Sequence, residues 1–326
     1  MAMHTRCMRS FVLGLLVAAA LPALSSAAAE HYPARPITLV SPAPPGGGTD
    51  AIGRAMADAM SRSAGVPVVV ENRPGAYSQI ATAMVAKAPA DGYTLLLVAS
   101  GHTVNPAVFR ELPYDTQADF SAVAQIATAP AVLVANPGLG VSTVAELRAY
   151  ARQHPERATF ASSEASIQLM TSELGAQLPA PPTIVYYKGT GPSINDVLGG
   201  HVGFAVTSIA SVLPHLQAGR LVPIAVTGKR RAEALPDVPT FQEQGLSGLE
   251  STVWQGILVP AGTPAEVIDF LNARVNEALQ DPAVGARLRT SAYEPVGGDP
   301  AVFSAFLAQD MERQAALVRS AGMVPQ

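Results

Sequence analysis

The stretch Pro36-Ile37-Thr38-Leu39-Val40, then Ser41-Pro42-Ala43-Pro44-Pro45-Gly46-Gly47-Gly48-Thr49-Asp50, then Ala51-Ile52-Gly53-Arg54-Ala55-Met56-Ala57-Asp58-Ala59-Met60 decides the fold. The first five residues form a short apolar run that reads as a buried strand. In the last part Ile52, Ala55, Met56, Ala59 and Met60 recur at i, i+3, i+4, i+7 and i+8, one face of a helix over 51–63. Strand, glycine-rich turn and helix make one βα unit. The pattern repeats with a strand at 68–70, a helix carrying Ile80, Met84 and Lys87, and a strand at 93–98 after the Asp91-Gly92 turn. Such alternation implies parallel pairing in a doubly wound sheet.

A second series follows. Strands are predicted at 131–135, 183–187, 203–206 and 223–226, with helices near 166–177, 192–198 and 209–218. Thr143 and Glu146 form a capping box for a helix running to about His154. A strand at 256–259 returns. Thr263-Pro264-Ala265-Glu266 then places a threonine N-cap, a proline at N1 and a glutamate at N3. Asp281-Pro282 and Asp299-Pro300 open the last two helices. The sequence therefore predicts an α/β protein of two doubly wound lobes. Lobe 1 comprises 30–130 plus 253–326 and lobe 2 comprises 131–252, with the two chain crossings acting as a hinge.

Residues 1–29 read as a cleaved secretory signal peptide. Arg6 and Arg9 precede an apolar run at 11–23, and Ser25-Ser26-Ala27-Ala28-Ala29 offers small residues for cleavage. The run is too short to span a bilayer, and no later apolar run approaches the ~20 residues that spanning requires. Cys7, the only cysteine, precedes the apolar run, so disulfides and Cys-ligated metals are excluded from the mature chain. Loss of Arg6 and Arg9 takes the formal net charge from −4 to −6. With no dominant basic patch, nucleic acid is not an expected partner. Charged residues are only 14% of the chain and apolar ones 48%, which permits two cores.

Two loops can hold an anion. In the first, Pro45, Gly46, Gly47, Gly48, Thr49 and Asp50 bring a glycine-rich backbone to a helix N-terminus, where orphan N–H groups and the helix dipole favour a carboxylate. Thr49 or Asp50 caps the helix. The contiguous glycines match neither a dinucleotide fingerprint nor a phosphate-binding loop, and a plain tight βα turn is the structural alternative. In the second, Tyr187, Lys188, Gly189 and Thr190 follow a strand, with Pro192 at N1 of a short helix that Gly199 closes. Lys188 is either a counter-charge or a solvated surface lysine. Ser162, Ser163 and Ser166 flank Glu164 ahead of another helix and serve as caps or ligand hydroxyls. His102 and Thr103 lie after a strand end, where they could line the cleft.

Catalytic machinery is missing from this pattern. There is no G-x-S-x-G elbow. The histidines at 31, 102, 154, 201 and 215 show no metal-like spacing. No cofactor and no metal are expected, and the chain reads as a binding protein rather than an enzyme. Trp254, the only tryptophan, is expected to pack at the lobe crossing.

Taken in order, several motifs resemble the Bug-type extracytoplasmic receptors of tripartite tricarboxylate transporters. They include Tyr32-Pro33 through Pro36-Ile37, Pro45-Gly46-Gly47-Gly48-Thr49-Asp50, Val70-Glu71-Asn72-Arg73-Pro74-Gly75-Ala76 and Asp91-Gly92-Tyr93-Thr94-Leu95. Leu112-Pro113-Tyr114-Asp115, Tyr187-Lys188-Gly189, Pro236-Asp237-Val238-Pro239-Thr240, Trp254 with Gly256, and Pro260-Ala261-Gly262-Thr263-Pro264 continue the match. The resemblance implies a periplasmic Venus-flytrap fold that closes on a small carboxylate between the two loops, partly through water. It implies delivery to integral membrane transporter subunits, with a sensor kinase as the alternative partner, and a monomeric receptor. Departures are Glu164 where the family usually has glycine, Leu169 where it has histidine, and Tyr77 in place of a glycine or small residue. A Glu164 carboxylate facing the cleft would favour a zwitterionic or less anionic ligand, and Tyr77 joins the candidate ligand residues.

Overall fold

The computed structural model describes residues 32–320 except Gly47, Glu164 and Lys188. The leader at 1–29 and those three candidate ligand residues thus lie outside the described residues. The chain runs β1 (Ile37–Ser41), α1 (Gly48–Ala64), β2 (Val68–Asn72), α2 (Gln79–Ala86), β3 (Thr94–Ala99) and α3 (Gly101–Val108) into the long strand β4 (Phe120–Ala135). It continues through α4 (Val144–Gln153), β5 (Thr159–Ser162), α5 (Ala165–Gly175), β6 (Thr183–Tyr186), α6 (Thr190–Leu198), β7 (Phe204–Ser208), α7 (Ile209–Gln217) and β8 (Val222–Val226). It returns as β9 (Thr252–Pro260), α8 (Ala265–Leu279), α9 (Pro282–Thr290), β10 (Glu294–Gly297) and α10 (Pro300–Ser320).

Strands order as β2-β1-β3-β9-β4-β7-β5-β6, with β8 and β10 pairing β4. β1 pairs both β2 and β3 in parallel. In the second half β5 pairs β6 and β7 in parallel. Parallel strands joined by helices put their βα turns at one edge of each sheet. The glycine loop leaves β1 at that edge of the first sheet, and the Tyr187 loop leaves β6 at that edge of the second.

One strand serves both sheets. β4 pairs antiparallel with β9 from Phe120↔Pro260 to Pro130↔Thr252, then with β7 from Ala131↔Ser208 to Ala135↔Phe204. The change falls at Pro130, which has no N–H for a ladder. Thr128 Oγ1 bonds Thr252 Oγ1 at 3.0 Å beside it. On the first-sheet side Trp254, Phe303 and Leu258 pack in one core. On the other side Phe160, Phe204 and Phe241 anchor a second. Burying the large aromatics, about 150–250 Å² each, dominates the packing of both.

Where the two halves meet, Val104 of α3, Leu169 of α5 and Val318 of α10 form a small apolar cluster. Leu169 is therefore a packing residue. Beside this cluster the Asp310 carboxylate is buried and fully engaged. It accepts from Trp254 Nε1 (3.1 Å), Thr103 Oγ1 (2.6 Å) and Gln314 Nε2 (3.2 Å), and it pairs with Arg313. A buried charge needs such compensation. Trp254 is fully buried at this crossing, as the sequence predicts.

Several elements differ from the sequence expectation. β4 is far longer than the expected 131–135, because residues 120–130, to which the sequence pattern assigned no element, pair along β9. β5, β10 and α3 were not foreseen, and Pro106 inside α3 hides its helical pattern. α6 begins at Thr190 behind Gly189, so Pro192 is the third helical residue rather than the first. Thr263 does not cap α8. Its hydroxyl donates to the Pro260 carbonyl at 2.7 Å, and Pro264 takes the cap position. Thr143 and Glu146 do form the capping box.

Candidate functional site

The first loop is built around Asp50. α1 starts at Gly48, so Thr49 and Asp50 sit in its first turn rather than at its cap. The Asp50 side chain is only 3% exposed. Its Oδ2 accepts from the Gly46 N–H at 2.9 Å and from Arg54 Nε at 3.0 Å, and its Oδ1 accepts from Asn72 Nδ2 at 2.6 Å. Burial alone would raise this carboxyl. The hydrogen bonds from Arg54, Asn72 and Gly46, with the Arg54 charge, outweigh burial and hold it below the usual range. Asp50 thus faces inward and braces the turn. The same contact occupies the Gly46 N–H, so that amide is also withdrawn from ligand. Asn72 Nδ2 reaches the Ala43 carbonyl at 3.0 Å as well, which lashes the turn after β2 to the loop after β1.

The remaining first-turn amides of α1, at Gly48, Thr49 and Asp50, precede any i−4 carbonyl. Gly48 is exposed, and a Cβ there meets nothing within 4 Å, so the backbone is approachable. Gly46 has φ +86, a conformation suited to glycine, and Pro45 beside it is exposed. Thr49 Oγ1 accepts from Gln255 Nε2 at 3.3 Å. Gln255 lies on β9 opposite Ala99, at the same sheet edge. Its Oε1 is buried and has no partner among the described residues.

The second loop uses a different brace. The Tyr187 phenol donates to Asp196 Oδ2 on α6 at 2.6 Å, and its N–H donates to the Ser162 carbonyl at 2.8 Å. Burial, then the hydrogen bond to Asp196 and its charge, push this phenol up to about 12. Gly189 stands ahead of α6 with φ 124 and ψ 163, a region open in practice to glycine alone. Thr190 Oγ1 and Ser163 Oγ lie 3.4 Å apart, joining the turns after β5 and β6. Ser162 is fully buried, and its Oγ has no partner among the described residues. Ser166 is buried in the first turn of α5. The candidate residues thus gather into two groups, one per sheet, and no hydrogen bond between described residues joins them.

Of the three other candidates, two are buried in packed surroundings and one is exposed. His102 is buried, with its ring 6.4 Å from Tyr114 and 5.5 Å from Phe120. Burial pushes it down to about 4, against a small opposing effect of the Thr116 main chain. It is a neutral core ring, not a cleft group, because α3 turns it into the aromatic cluster. Thr103 is buried and committed to Asp310, so its hydroxyl is not offered to ligand. Tyr77 is 67% exposed in the turn after β2. The sequence reading passed over Arg54, Asn72, Asp196 and Gln255 as site residues. Arg54 follows Asp50 by four positions, a helical ion-pair spacing that was legible. Asn72 and Gln255 needed the sheet register, and Asp196 needed the placing of α6 against the turn after β6.

Residues 52–323 match the family model of the tripartite tricarboxylate transporter family receptor. The chain belongs to the tripartite tricarboxylate transporter receptor family. BugT of Bordetella pertussis is 36% identical over 315 residues, covering 95% of this chain and 96% of that one. Among solved structures, this family member resembles the periplasmic binding protein BugD at a TM-score of 0.76 and 30% identity, over 90% of this chain and 100% of that one. R. palustris Rpa4515, solved with adipate, aligns at 0.78 and 34% over 90% and 100% of the two chains. MatC from Rhodopseudomonas palustris, solved with malate, aligns at 0.72 and 30% over 88% and 100%. This receptor therefore has the two-lobed α/β fold of the periplasmic binding proteins and is a solute-binding protein of that family. No helix among the described residues is long and apolar enough to cross a membrane.

Proposed function

We propose that this receptor captures a small carboxylate between lobe 1 (30–130 with 253–326) and lobe 2 (131–252), hands it to the membrane subunits of a tripartite transporter, and catalyses no reaction. One observation carries the ligand assignment. Beside each helix-starting turn lies a buried polar atom that the described residues leave unmatched: Gln255 Oε1 next to Thr49, and Ser162 Oγ next to the Tyr187 loop. Buried polar atoms are nearly always satisfied, at a cost of about 1–3 kcal/mol otherwise. Ser162 Oγ can donate to a carboxylate oxygen. Gln255 Oε1 accepts, and so asks for a bridging water or a ligand hydroxyl or ammonium. The open amides of Gly48 and Thr49 supply positive potential without an arginine. Adipate and malate in two structural relatives fit this chemistry.

The switch of sheet at Pro130 supports the lobe bounds. The charge, apolar run and small residues of 1–29 support secretion to the periplasm. The match to a receptor family and the likeness to periplasmic binding proteins support a binding role rather than turnover, and a receptor acting as a monomer belongs to the same reading. A thermal-shift screen over mono-, di- and hydroxydicarboxylates and amino acids tests the proposal. A true ligand at about 100 times its Kd stabilises by roughly 2.7 kcal/mol. A screen with no shift from any carboxylate defeats the proposal, and consumption of a hit points to an enzyme.

A further inference from the structure

The turn after β2 holds a second feature. Ala76, Tyr77 and Ser78 have φ of 46, 53 and 74 in succession, three non-glycine residues in the left-handed region. Each carries a steric cost, and such outliers persist only where neighbours hold them. The neighbours here are identifiable. The buried Asn105 donates from Nδ2 to the Tyr77 carbonyl at 2.9 Å and to the Tyr114 hydroxyl at 3.3 Å. The Arg73 N–H donates to the Ser41 carbonyl at 2.8 Å, and Asn72 reaches Ala43. The strained turn is thereby fixed to the glycine loop.

Burial of the ring does not offset the strain, since Tyr77 is 67% exposed. Its ring lies 5.4 Å from that of Phe109 at an interplanar angle of 53°, so the two form a short aromatic wall. We propose that Tyr77 is a specificity-determining residue of the carboxylate site, its ring packing on the apolar body of a ligand whose carboxylate is held by the α1 amides. This rests on the carboxylate-binding function proposed above. The ligand class is a carboxylate with a flat aromatic or extended apolar body. A compact hydroxydicarboxylate gives the ring little to cover.

The test is calorimetric titration of the mature protein with benzoate, adipate and malate, in wild type, Tyr77→Gly, Tyr77→Phe and Phe109→Ala. Wild type is expected to bind benzoate or adipate more tightly than malate. Tyr77→Gly should lose about tenfold on the preferred probe, change malate less than twofold, and melt no lower than wild type, because glycine accepts φ 53. Tyr77→Phe should keep the preference, and Phe109→Ala should weaken it in the same direction. Equal loss on all probes, an unchanged preference in Tyr77→Gly, or a Tyr77→Phe variant that behaves like glycine overturns this inference alone. Wild type that binds none of the probes overturns the carboxylate assignment and this inference with it.

Discussion

The two helix-starting turns are held by opposite means. The turn before α1 is pinned by a buried carboxylate that draws in an amide, a guanidinium and a side-chain amide. The turn before α6 is pinned by one phenol–carboxylate bond and by a glycine in a conformation closed to other residues. The first is rigid by electrostatics and its glycines are conformationally ordinary at Gly48. The second is rigid by backbone geometry and its polar brace is half-exposed. A binding site assembled from both need not respond to mutation or pH in the same way on its two sides.

The sharpest break is Asp50→Ala. It removes three charge-assisted acceptor contacts at once, while Arg54 Nη2 still donates to Asn72 Oδ1 at 2.8 Å, so a loss of about 2–4 kcal/mol in denaturant unfolding is expected. A loss below about 1 kcal/mol would mean that the brace is ornamental. Next is Gly189→Ala, expected to cost about 1–3 kcal/mol from backbone strain although its methyl meets nothing within 4 Å. Tyr187→Phe should cost about 1 kcal/mol.

The pH dependence separates the halves further. Glu173 on α5 is pushed up to about 7, first by burial, with Arg313 opposing and Glu250 adding to the rise. Because the folded value lies above the unfolded 4.5, its stabilising protonation is complete below pH 4.5 and lost as pH rises through 7. Glu173→Gln should then gain roughly 1 kcal/mol over wild type at pH 8, after solvent screening of a half-exposed group, and nothing at pH 4. Asp50 has the opposite sign: its contribution is present above pH 3.8 and lost as pH falls. The smallest effect is expected from Gly48→Ala. This helical position has open space around it, so stability should rise by about 0.5 kcal/mol while carboxylate affinity falls, provided the neighbouring amides touch ligand. A rise in both would argue against those amides.

The βα order, the α1 face and the Thr143 capping box were readable because periodicity and capping are local. So were both glycine loops as places where backbone is exposed. What the sequence could not show is which way side chains turn. Asp50 looked like a cap or a ligand group, yet its role depends on Asn72, which parallel pairing brings alongside: Ser41 sits opposite Asn72. His102 and Thr103 follow a strand end as cleft residues do, but α3 rotates both into packed surroundings. β4 was underestimated because its first eleven residues mix Ser121, Gln125, Thr128 and Pro130 with four alanines, a weak strand pattern that pairs along β9.

Pro130 takes one main-chain donor out of the shared strand at the point where its partner changes from β9 to β7. An ordinary residue midway along β4 would contribute a main-chain donor to whichever neighbour it faced, and turning one half of the strand against the other would break that bond. Proline has no such donor. If the lobes proposed above close on ligand by turning at the Pro130 and Thr252 pair, residue 130 has no donated main-chain bond to break.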